Sequence, residues 1–110
     1  MHTTVNFSSF VDAFRSMGRG GHFSYEGSRV LFDFLEQLEF DMGTSIDLDV
    51  IGLCCYYHEL TAKEVVEDYS IHLEDGASDE EIVSTVRNYL ENNTTICGEL
   101  PGGVFVFAEF

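Results

Sequence analysis

Basic side chains are what this sequence has least of: five Lys and Arg stand against 20 Asp and Glu in 110 residues, a formal net charge of −15. Direct nucleic-acid binding rests on Lys and Arg neutralising phosphates, so a chain this poor in them is not expected to contact nucleic acid itself. Long apolar runs are missing too. No stretch approaches the ~20 residues that a membrane span needs, and Met1-His2-Thr3-Thr4 lacks the basic and apolar regions of a signal peptide. A cytoplasmic protein with no membrane partner is expected. The three cysteines, odd in number and two of them adjacent, make no disulfide framework and fit reduced thiols.

Motifs of catalysis are equally scarce. Gly18-Arg19-Gly20-Gly21 has neither a preceding strand nor the Gly-Lys-Ser/Thr of a phosphate loop, and reads as a turn. The acids from Asp75 to Glu81 lack the EF-hand positions and their bidentate glutamate. Cys54-Cys55 with His58, and Cys97 further on, is the best nucleophile or zinc candidate, yet it offers no Cys-x-x-Cys spacing and sits among acids that would raise a thiol pKa. Buried core cysteines are the simpler reading, because free Cys is among the most buried residue types. The expectation is a non-enzyme with no metal and no cofactor.

What is present is apolar enough to fold. Hydrophobic residues make up 45% of the chain and include ten phenylalanines, which rules out an acidic disordered tail; at this length one domain, residues 1–110, is expected. Phe7, Phe10, Val11, Phe14 and Met17 recur at helical spacing. Ser24 is the N-cap of a second helix whose apolar face carries Val30, Leu31, Phe34, Leu35, Leu38 and Met42, and which Gly43 ends. The run Val50 to Tyr57, apolar at both alternate sets of positions, reads as a strand covered on both faces in preference to the alternative, a buried helix, given its aromatic and branched content. Capping boxes at Thr61-Ala62-Lys63-Glu64 and Ser78-Asp79-Glu80-Glu81 open two more helices. Pro101-Gly102-Gly103 turns a hairpin between Thr94–Leu100 and Val104–Phe110. The expected fold is therefore α+β, with four short helices packed on a small, three-stranded, mainly antiparallel sheet in the order α-α-β-α-α-β-β.

Between Val30 and Glu81 fifteen carboxylates face one base, Lys63, whereas Arg15, Arg19 and Arg29 outnumber the acids of the first 29 residues. The molecule is expected to have one strongly acidic side. Asp33, Glu36, Glu39 and Asp41 on the second helix, Asp47 and Asp49 after it, and Glu64, Glu67 and Asp68 on the third are the candidate partner-binding residues. Phe40 lands among them; an aromatic there is either tucked under a loop or part of the contact. Acids arrayed in this way match a basic protein surface that normally holds phosphates. The alternative is an interaction or assembly module that uses an apolar patch at Phe40 or Tyr56/Tyr57, as in a homodimer.

The phrases Phe23-Ser24-Tyr25-Glu26-Gly27, Leu31-Phe32-Asp33-Phe34-Leu35-Glu36 and Ile46-Asp47-Leu48-Asp49-Val50-Ile51, with Cys54-Cys55 and the Gly-Gly-initiated last strand, resemble small acidic proteins of bacterial phages and mobile elements. Some of that group are anti-CRISPR or anti-restriction inhibitors that act as DNA mimics. The resemblance implies a protein at work in a bacterial host cell, with a basic nucleic-acid-binding protein or CRISPR effector complex as partner. It implies no catalytic residue.

Overall fold

The computed structural model describes residues 6–44, 46 and 48–110. It is α+β, with five helices and one antiparallel sheet. Helix α1 is Phe7–Ser16, opened by Asn6, whose Oδ1 accepts the Ser9 N–H at 2.9 Å. Helix α2 is Tyr25–Met42, capped by Ser24 and ended by Gly43 in the left-handed conformation at φ 68°. Both caps of α2 follow the sequence reading.

The run Val50 to Tyr57 does not. It forms a short helix, α3 (Val50–Tyr56), and the first strand, β1, begins only at Tyr57 and runs to Thr61. Asp49 makes the difference, because its carboxylate accepts the Gly52 N–H at 3.1 Å and caps the helix. Val50, Leu53 and Cys54 then fall on one helical face and are buried, while Ile51, Cys55 and Tyr56 are exposed. A run apolar at every position buried only half of itself. Among the described residues the helix count is thus five rather than four.

Helix α4, Ala62–Asp68, opens with the expected capping box at Thr61 and Glu64. Ser78 caps α5, Asp79–Asn93, by accepting the Glu81 N–H at 3.2 Å. The hairpin pairs β2, Ile96–Leu100, with β3, Val104–Ala108. Strand β3 lies between its two neighbours, in the order β1-β3-β2.

Successive residues of a strand point to opposite faces, so β3 divides the molecule into two cores. Val106 faces Phe10 and Phe14 of α1, Phe32 and Leu35 of α2, and Leu53 of α3. Phe105 and Phe107 face Ala62 and Val65 of α4 and Val86 and Leu90 of α5. The result is three layers. Phe32, off the apolar face that the spacing of α2 defines, is buried because α2 packs on α1 as well as on the sheet; its ring meets Phe10 at 5.3 Å and Phe7 at 5.8 Å. At the far ends of their stripes, Met17 and Met42 are exposed, where the spacing placed them on apolar faces.

Two contacts set how α2 lies on the sheet. A Cβ at Gly98 of β2 would stand 2.5 Å from Val30 Cγ1, so only glycine lets the helix approach there. At its start, Glu59 of β1 accepts the Ser24 N–H at 2.9 Å and occupies the space that a side chain at Gly27 would need. Glu59 is therefore a structural carboxylate.

Candidate functional site

The acids named from the sequence do not form one surface. Helices α2 and α4 belong to different cores, so Asp33, Glu36, Glu39 and Asp41 lie on the opposite side of the sheet from Glu64, Glu67 and Asp68. Several of them are also engaged. Asp33 pairs with Arg29 at 3.3 Å, Asp41 accepts from Gln37 at 3.0 Å, and half-buried Glu39 accepts the Ile46 N–H at 2.7 Å, tying the end of α2 to the following loop. Asp49 caps α3 and Glu64 closes its capping box, so both serve the backbone. Asp47 lies outside the described residues. Glu36 is exposed, with a polar partner neither on its own helix nor beyond it among the described residues.

The other side is more acidic. From Glu64 to Glu81 there are eight carboxylates and no Lys or Arg, and all eight are exposed. Glu67 and Asp68 end α4, Glu74 and Asp75 occupy the connection, and Asp79, Glu80 and Glu81 start α5. The last three favour the fold, since the N-terminal end of a helix attracts negative charge. Glu67 and Asp68 oppose it. They sit at a helix C-terminus, where the dipole disfavours an anion by about 0.3–1 kcal/mol at an exposed site. The last turns of α2, α4 and α5 all lack a basic residue, and each carries or adjoins acids. Glu74 and Asp75 were legible in the sequence only as members of the long acidic stretch, since no periodicity marks a connection as a site.

Phe40 is not tucked under a loop; it is 82% exposed. Tyr56 is exposed as well, whereas Tyr57 is half-buried against Phe34, with ring centres 6.1 Å apart.

The thiols and His58 are separated. Cys54 and Cys97 belong to the core of α1 to α3, and burial raises both thiols, that of Cys97 to about 12. Cys55 is exposed on α3, one turn from Ile51. His58, paired in register with Phe107, points to the other side of the sheet, where its imidazole contacts the Glu109 carboxylate. No three His, Cys, Asp or Glu side chains converge to hold a metal among the described residues, and no helix among them is long and apolar enough to cross a membrane. Comparison with family models, curated proteins and solved structures finds no match to this chain.

Proposed function

We propose that this protein is an acidic inhibitor that occupies the basic nucleic-acid-binding surface of a bacterial defence complex, of the anti-CRISPR or anti-restriction kind, by presenting carboxylates in place of phosphates. One observation carries the reading: Glu67 and Asp68, in the middle of the α4–α5 acids, stand where the fold loses by them. Carboxylates needed only for solubility are tolerated anywhere on a surface, yet Glu67 and Asp68 close a helix against its dipole with no basic residue in its last turn. A site kept at a cost in stability is what recognition demands. Duplex DNA carries one charge per ~1.7 Å of axis; of the eight carboxylates within eighteen consecutive residues, Glu64 serves its capping box and Asp79 pairs with Lys63 at 3.9 Å, and the other six are exposed acceptors for Arg and Lys. Asp33 and Glu36 on α2 form a second, smaller acidic face, partly neutralised by Arg29.

The test is capture from a bacterial lysate by the immobilised protein. Basic DNA-binding proteins are retained at about 0.1 M salt and released at about 1 M, where the Debye length falls from ~10 Å to ~3 Å. The variant E67K/D68K/E74K retains none of them. Equal capture by parent and variant would end this reading.

A further inference from the structure

The side of the molecule away from the α4–α5 acids carries a different surface. An open groove of about 390 Å³ runs between the end of α1 and the start of α3, lined by Ala13, Met17, Leu48, Val50 and Ile51. Met17 and Ile51 are each about half exposed there. Among the described residues the groove has one carboxylate in its lining, Asp49, and that one is engaged in capping α3. Helix α3 has no charged residue at all. Arg19, two residues beyond Met17, donates its N–H to the Phe14 carbonyl at 2.8 Å and so stands at the end of α1 that borders the groove.

Phe40 has the complementary properties. It is the most exposed large hydrophobic residue among those described, at 82%, and Met42 beside it is 53% exposed. Its neighbours on the outer face of α2 are Glu36 and Asp41. An apolar knob beside acids and an apolar groove beside a cation thus occur on one chain, and neither is filled by the described residues of that chain.

We propose that the groove binds Phe40 of a second copy of this chain, with Asp41 brought towards Arg19. Two such contacts related by a two-fold axis close a dimer, the commonest form of oligomer. Each contact covers an aromatic ring, Met17 and Ile51, all of which water otherwise surrounds. The dimer leaves the α4–α5 face open, because α4 and α5 lie on the other side of the sheet. Since each copy carries −15, the pair is opposed by long-range repulsion and helped by salt. Partner capture by the acidic face has the opposite salt dependence, so either reading can fail without the other.

Sedimentation equilibrium of the purified protein tests the proposal, with F40E, I51K and their equimolar mixture. At about 1 M salt the parent is expected to show a concentration-dependent mass rising to twice the 12.4 kDa of one chain. F40E and I51K alone are expected to stay monomeric, because each puts a charge into both apolar contacts. Their mixture restores the dimer: one contact keeps Phe40 against Ile51 and the other sets Glu against Lys. A parent that stays monomeric at every concentration overturns the proposal. So does an F40E protein that dimerises like the parent, or a mixture that stays monomeric while both variants melt as folded proteins.

Discussion

Cys97 is held by burial alone. Its thiol is pushed up to about 12, and burial acts in the same direction on Cys54 and Tyr57. A folded-state pKa above the unfolded value means that the native protein keeps a proton which the unfolded chain releases. The stabilisation is therefore complete below the ordinary thiol range near pH 8.5 and is lost as pH rises towards about 12. Urea unfolding midpoints should fall with pH above ~9, and Cys97→Val should flatten that fall; parallel curves for the two proteins would show that Cys97 is not the group responsible. Gly98 makes a second residue-scale statement. A Cβ there meets Val30 at 2.5 Å, so Gly98→Ala should cost about 1–3 kcal/mol by overpacking, and adding Val30→Ala should recover part of that loss. An additive double mutant would place the strain elsewhere.

At the scale of the element, α2 was legible because its signals agree: Ser24 caps it, Gly43 ends it, and Leu31 and Leu35 lie on one buried stripe. Leu35→Ala should cost about 2–5 kcal/mol in a chemical denaturation curve; a cost within error of zero would remove Leu35 from the core. Thr61 was equally legible, since a capping box is a local four-residue device that tertiary packing need not override. Thr61→Ala is expected to lose about 1 kcal/mol. Helix α3 was legible only as the less favoured alternative to a strand. A run apolar at every position carries no period, and the two signals against a strand were small: the Asp49 cap and the Val50, Leu53, Cys54 spacing inside the run. Reading it as buried on both faces also hid Ile51 and Tyr56, which the fold exposes. The acidic residues were legible as a stretch but not as a surface. Chain order places α2 and α4 close together, whereas β1 passes between them and carries the chain to the other face of the sheet.

On the scale of the whole molecule, charge acts against stability and, in the proposed function, serves recognition. With −15 on 110 residues, the compact state works against its own repulsion, so raising salt from about 0.05 M to about 0.5 M should raise the melting temperature. E67K/D68K should raise it further at low salt, because it relieves repulsion and sets cations at the C-terminus of α4. The same substitution is expected to remove partner binding, so stability and function move in opposite directions at one site. A variant that loses both would show those side chains to be structural. The central claim, that the α4–α5 face stands in for DNA, is tested most directly by competition. Labelled duplex DNA is bound to a basic protein captured by the domain, and its fluorescence anisotropy is followed as the domain is added. Parent protein should displace the DNA completely at about 0.1 M salt, with its potency falling steeply as salt rises, and E67K/D68K/E74K should displace none. Binding of the parent without displacement of the DNA, or equal displacement by parent and variant, would contradict the account.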